Sequence, residues 1–119
     1  MNYEDMSDFE INKMIAKVTG GDWDYCDGVL WKDDLHGFPT VFDPCNSPSD
    51  AFPIIVENNI SISHSIALYR ADALVYDKKF DNGFKIFKQD SQLGDTSSRG
   101  ALRAAMICFL KMKDAENEK

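Results

Sequence analysis

Five aspartates in the first third of the chain form its densest group of side chains able to do chemistry: Asp22, Asp24, Asp27, Asp33 and Asp34. The run superficially matches a calcium loop, which has acids at positions 1, 3 and 5, glycine at 6 and glutamate at 12. The register is wrong here, because Cys26 takes position 5 and Asp27 takes position 6. We predict that the five aspartates form a cluster that binds a partner. The alternative is turn, cap and solubility roles for each.

Two arginines form a second candidate site. Arg99 and Arg103 are one helical turn apart at the predicted start of the last helix, where free backbone amides also attract anions. Such a pair can clamp an anionic group. The alternative is that both are solvated charges without a ligand.

Cysteines and histidines show no metal-binding pattern. Cys26, Cys45 and Cys108 are widely spaced and form no CxxC pair, so we expect free thiols, with Cys108 buried in the last helix. In an alternative arrangement Cys26 and Cys45 join His36 and His64 around a metal, but no two of them have the usual short ligand spacing. We predict no metal and no other cofactor.

The motifs of common catalytic sites are incomplete. His64 lies between Ser63 and Ser65, where it could act as a base, but the chain has no GxSxG elbow. Gly20-Gly21 lacks both the Walker lysine and the GxGxxG spacing of a phosphate loop. We therefore predict no catalytic residue and no enzyme activity.

Local signals define the elements that position these residues. Ser7 and Glu10 form a capping box, and Gly20-Gly21 is a stop signal, so the sequence predicts a helix from Asp8 to Thr19. Asp27-Gly28 predicts a hairpin between two short strands.

A short third strand and a second helix follow. Thr40 to Phe42 is the strand candidate. Ser47 as the cap and Pro48 at the first helical position predict a helix from about Pro48 to Asn58.

The second half contains further strands and a long apolar helix. Asp81-Asn82-Gly83 predicts a hairpin turn between strands at 74–76 and 84–87. Thr96, Ser97 and Ser98 are candidate caps of the closing helix. We predict one α+β domain over 1–113 and a frayed tail over 114–119. Its architecture is an antiparallel sheet with two or three helices packed on it, and an α/β/α sandwich is one form this can take.

The spacing of apolar residues in the outer helices predicts the core. We expect these side chains of the last helix to be buried against the sheet: Leu102, Met106, Phe109 and Leu110. Those expected from the first helix are Ile11, Met14, Ile15 and Val18. A helix this apolar can instead serve a dimer interface, so the oligomeric state, monomer or homodimer, stays open.

The charge balance excludes several classes of protein. The chain has 119 residues and a net charge of −7, which disfavours a direct nucleic-acid binder or a membrane-surface helix. Residues 1–50 hold eleven acidic and three basic side chains, whereas residues 51–119 hold nine acidic and ten basic ones. The N-terminus is acidic and no apolar run could span a bilayer, so we expect a cytoplasmic protein.

Three segments resemble the phage NinX family, small proteins encoded among the accessory early genes of lambdoid phages. They are Met6 to Asn12, Pro48 to Ser61 and Leu102 to Leu110. The chain is also similar to small phage proteins with helix–sheet–helix layouts, but the stretch from Ser65 to Gln92 departs from the family pattern. The resemblance implies a phage origin and the host cytoplasm, and it implies no catalytic residue.

These observations together predict a non-enzymatic phage accessory protein that binds another protein. The predicted partner is a host factor, a component of host defence or a phage protein. In one variant the aspartates imitate the phosphates of a nucleic acid. The alternative from a different class is a protein that binds or sequesters a nucleotide or another small anion through Arg99 and Arg103.

Overall fold

The computed structural model describes residues 2–33, 36–65, 67–92, 94–95 and 97–117. A 3-10 turn at Tyr3–Asp5 precedes the first helix. The helices are α1 (Asp8–Thr19), α2 (Pro48–Glu57) and α3 (Ser98–Asn117). The strands are β1 (Asp24–Cys26), β2 (Val29–Asp33), β3 (Pro39–Phe42), β4 (Ser61–His64), β5 (Tyr69–Tyr76) and β6 (Phe84–Asp90). The predicted α+β class is confirmed.

The predicted limits of α1 are also confirmed. The Ser7 hydroxyl accepts a hydrogen bond from the Glu10 amide at 3.2 Å, and Ser7 N donates to the Glu10 carboxylate at 3.4 Å. Gly20 adopts a left-handed φ of 81° and its N–H donates to Ala16 O, which ends the helix.

The start of α2 differs in detail from the prediction. Ser47 is the residue before the helix, but its side chain makes no capping bond. Asp50 in the first turn instead accepts from the backbone N–H of Asp43 at 2.9 Å, which ties the helix to the preceding segment. Asn59, with a φ of 54°, follows the end of the helix.

The strands form two sheets, where the sequence predicted one. The first has the order β1-β2-β3 and the second β4-β5-β6, all antiparallel. The predicted turns are present: Asp27 and Gly28 have φ values of 52° and 79°, a pair typical of a type I′ hairpin, and Gly83 has 77°.

The central helix α3 packs on the second sheet with one side and on α1 and α2 with the other. An α/β/α sandwich is therefore not formed, because no described helix covers the outer face of either sheet. The predicted burial in α3 is confirmed for Leu102, Met106, Phe109 and Leu110. None of the described helices combines the length and apolarity needed to cross a membrane.

Two expectations for the helices are wrong. Val18 is 43% exposed, because it lies in the last turn of α1, whereas Ile11 and Ile15 are fully buried and Met14 is partly buried. The tail predicted from residue 114 is helical through Asn117.

Long-range contacts hold this last turn. The Tyr3 hydroxyl donates to the Asp114 carboxylate, and Lys79 Nζ donates to Ala115 O at 2.5 Å. Ala115 itself is buried. Residues 118 and 119 lie outside the described residues.

Candidate functional site

The first sheet brings together four of the five predicted aspartates. Asp22 precedes β1, Asp24 begins it, Asp27 lies in the β1–β2 turn and Asp33 ends β2. All four are exposed. Asp34 lies outside the described residues.

The inner face of this sheet is fixed in place by apolar and aromatic packing. Leu30 is buried at 3% exposure, on the face toward α1. The Trp23 ring stacks on Phe42 with centroids 4.9 Å apart, and Lys32 Nζ lies 4.3 Å from the Trp23 ring centroid. A cation above an indole face is an attractive arrangement, so Lys32 is held on the inner face.

The strand register determines which side chains share the outer face. Asp24 is paired with Trp31, and Trp31 with Val41. Because side chains alternate along a strand, Val29 and Asp33 lie on the same side as Trp31. We call this surface the acidic face and define it by Asp24, Cys26, Val29, Trp31, Asp33 and Val41. Trp31 is half-buried and the rest are exposed.

The acidic face carries negative charge around an apolar centre. Lys32 is the one basic residue in β1 to β3, and it lies on the opposite face. Within the described part of the chain, no ion pair or hydrogen bond involves the side chains of Asp22, Asp24, Asp27 or Asp33. These carboxylates are therefore available to a partner.

The apolar centre was missed by the sequence analysis. Val29 and Val41 are 40% and 52% exposed. Val41 is the cross-strand partner of Trp31, and Val29 lies two residues before it on β2. The signal was the period-two alternation of Val29, Trp31 and Asp33, which puts an acid and two apolar residues on one face. Nothing local in the sequence says that this face is the uncovered one.

The structure does not form a free two-arginine clamp. Arg103 Nη1 donates to Asp8 Oδ1 at 2.5 Å and Nη2 donates to Met6 O at 2.6 Å. Its guanidinium thereby fastens the N-terminal segment to α3. Arg99 is exposed.

The three thiols are in different environments. Cys45 and Cys108 are fully buried, and burial raises the pKa of Cys45 to about 12 and that of Cys108 to about 11. Cys26 is exposed on the acidic face. Among the described residues, no three His, Cys, Asp or Glu side chains are grouped as they would be around a metal.

The serines beside His64 bond to the backbone. The Ser63 and Ser65 hydroxyls donate to Arg70 O and Leu68 O, at 3.5 and 3.1 Å. The His64 ring packs on Tyr69, with centroids 4.6 Å apart.

Comparison with known proteins identifies the family. No curated protein and no solved structure matches the chain. The family model described as "Bacteriophage P22, NinX" matches residues 2–113, which include both sheets, α1, α2 and all but the last four residues of α3. The chain therefore belongs to the bacteriophage P22 NinX family.

Proposed function

We propose that this phage accessory protein is non-enzymatic and binds a host protein through the acidic face. The observation that carries the proposal is the placement of Asp24 and Asp33 on one exposed sheet face, around Trp31 and without a basic neighbour on that face. Exposed carboxylates without internal partners speed association with a surface of opposite charge.

The partner that fits this face is a protein with a basic surface surrounding an apolar recess. Half-buried tryptophans are frequent energetic centres of protein interfaces, and Val29 and Val41 extend the apolar area next to Trp31. The aspartates around them match a basic rim. Host proteins that bind nucleic acid carry such basic surfaces, and a phage protein meets them in the host cytoplasm.

A more specific form of the proposal is mimicry of a nucleic acid. Asp22, Asp24, Asp27 and Asp33 are exposed carboxylates on or beside one small sheet, and each would stand in for a phosphate of the nucleic-acid backbone. A host defence protein that recognises DNA or RNA through its backbone is then the expected target. Short duplex DNA would compete with this protein for the same basic surface.

Pull-down from host lysate with matched variants tests the proposal. The test variant is Asp24→Asn/Asp33→Asn, and the control is Glu57→Gln/Asp81→Asn, which removes two exposed acids outside the acidic face. We expect wild type and control to retain one stoichiometric partner, and the test variant to lose it while keeping its circular dichroism spectrum.

Duplex DNA added to the wild-type complex separates the two forms of the proposal. If the added DNA releases the partner, the result supports mimicry. If the complex survives the added DNA, the acidic face binds a protein but does not mimic a nucleic acid. Equal recovery by the test and control variants, or no partner at any salt concentration, contradicts the proposed function itself.

A further inference from the structure

Four large apolar side chains lie together on the outer face of the second sheet. The register pairs Leu74 with Ile86 and Tyr76 with Phe84, and directly opposed residues of antiparallel strands share a face. Ala73, one position before Leu74, is buried on the inner face, which packs on α3. The four apolar side chains therefore point away from α3, and they are between 42% and 76% exposed. A contiguous exposed apolar patch of this kind marks an interaction surface.

Charged residues continue the same face, and their signs balance. Lys88 is the cross-strand partner of Asp72, the next pair on this face along the two strands. Beyond it, Arg70 and Asp90 form an ion pair at 2.6 Å. The face thus carries two basic and two acidic residues, in a chain whose net charge is −7. A second copy of the chain can approach this face without the repulsion that two acidic faces would meet.

Three polar groups of this surface have no direct partner within the chain. Although Asp72 and Lys88 are paired across the strands, neither forms an ion pair in the part of the chain that the structure describes. The Tyr76 hydroxyl makes no hydrogen bond there either, and its ring lies 6.2 Å from that of Phe84. We call this surface the β5–β6 face and define it by Asp72, Leu74, Tyr76, Phe84, Ile86 and Lys88.

The β5–β6 face is complementary to itself. Consider a two-fold axis that passes between two such faces at the Leu74–Ile86 pair, at right angles to the strands. Positions 72 and 76 lie two residues on either side of the axis, as do positions 84 and 88, so the rotation places 76 opposite 72 and 84 opposite 88 of the second copy. The Tyr76 hydroxyl can then donate to an Asp72 carboxylate, and the Lys88 ammonium group meets a Phe84 ring.

The size of the sheet limits the strength of such a contact. β5 has eight residues and the sheet has three strands, so its face measures about 27 Å by about 14 Å, or about 400 Å². Two faces packed together bury about 800 Å², which is typical of weak, transient complexes and well below an obligate dimer. The chain must therefore fold as a monomer and associate only at high concentration.

We propose that the protein forms a weak two-fold homodimer through the β5–β6 face, with Leu74 and Ile86 at its centre. The apolar pair supplies the burial, and the polar groups on either side set the antiparallel orientation. No residue of the acidic face belongs to this surface, so the dimer is independent of the proposed function and leaves both acidic faces open.

Sedimentation velocity of the full chain at concentrations from about 5 to about 500 µM tests the proposal. We expect the sedimentation coefficient to rise from the monomer value toward the dimer value over this range. Ile86→Glu places two carboxylates against each other at the axis, so this variant should stay monomeric throughout. Ile86 is 57% exposed, and an unchanged circular dichroism spectrum shows that the variant is folded.

Lys88→Glu and Lys85→Glu form a matched pair of variants with the same change of charge on the same strand. Lys88 belongs to the β5–β6 face, whereas Lys85, paired with Val75, lies on the other side of the sheet. Lys88→Glu makes the face net negative and sets a carboxylate against the Phe84 ring, so it should weaken dimerisation about tenfold or more. Lys85→Glu should change the dissociation constant less than about threefold.

Phe52→Ser tests whether a different apolar surface is responsible, because Phe52 is 64% exposed on α2. This variant should dimerise as the wild type does. Four results overturn the proposal: a wild-type chain that stays monomeric at about 500 µM, a dimer that persists in Ile86→Glu, equal weakening by Lys88→Glu and Lys85→Glu, or loss of the dimer in Phe52→Ser.

Discussion

Asn12 is a buried amide that joins α1 to the segment before α2. It is 5% exposed, its Nδ2 donates to Asp43 Oδ1 at 2.7 Å, and its Oδ1 accepts from Cys45 N at 3.1 Å. Both hydrogen-bonding groups of the amide are therefore satisfied within the protein, as buried polar groups require.

Replacement of Asn12 by alanine should lower the free energy of unfolding by about 1–3 kcal/mol, because the buried Cys45 N–H loses its acceptor. Urea unfolding measures the loss. Asn2→Ala, which removes an exposed amide, should change stability by less than about 0.5 kcal/mol. A similar effect of both substitutions would show that the buried amide contributes nothing special.

The buried thiols make stability sensitive to alkaline pH. Burial raises the pKa of Cys45 and Cys108 to about 12 and about 11, whereas the pKa of an unfolded cysteine is about 8.5. A raised pKa in the folded state contributes stability below the unfolded pKa, and this is lost as pH rises toward the folded value.

We therefore expect unfolding to become easier from about pH 8.5 upward, by about 2 kcal/mol per thiol near pH 10. The urea midpoint measured at several pH values reports the loss, and a Cys45→Ala/Cys108→Ala variant should show a flatter profile. A thiol reagent at neutral pH should label Cys26 alone in the native protein. Labelling of all three without denaturant would contradict the assigned burial.

The role of a residue was predictable where it depends on residues nearby in the sequence. It was not predictable where it depends on a partner far away in the sequence. The Ser7–Glu10 capping box depends on residues three positions apart. Arg103 is bonded to Asp8, 95 positions away, so its spacing from Arg99 indicated an anion clamp that the structure does not form.

At the scale of elements, helix limits and hairpin turns were predictable because their signals are local. The division into two sheets was not, since strand pairing depends on contacts between distant parts of the chain. β3 is followed by α2 before β4 begins, and nothing in the sequence says whether β3 and β4 pair. Only part of the acidic face was predictable. Its aspartates were identified from the sequence, but its exposed apolar centre was not, because that centre is exposed only when β1 to β3 form a sheet of their own.

The central position of α3 leads to a stability prediction. Phe109 is 3% exposed, and α3 contacts both the second sheet and the other two helices. Phe109→Ala should lower the free energy of unfolding by about 3–5 kcal/mol through lost burial and the cavity left behind.

Urea unfolding with analytical ultracentrifugation checks this prediction. Val18→Ala, the truncation of an exposed apolar residue on α1, should cost less than about 1 kcal/mol. If Phe109→Ala keeps the wild-type midpoint and instead converts a dimer to a folded monomer, α3 serves an interface and its assignment to the core is wrong.

At the scale of the whole molecule, the two halves of the chain differ in charge. Residues 1–50 carry a net charge of −8 and residues 51–119 carry +1. Two of the first-half acids lie on the acidic face and two beside it. A field of this kind orients an approaching basic partner and weakens as salt concentration rises.

Hydrogen–deuterium exchange on the complex with the captured host partner tests the central claim most directly. The acidic face predicts slower exchange over residues 24–33 and 39–42 on binding, with residues 84–90 and α3 unchanged. The Asp24→Asn/Asp33→Asn variant should show no slowing at the same partner concentration. Slower exchange confined to the second sheet or α3, with 24–33 unaffected, would contradict the account and place the binding surface elsewhere.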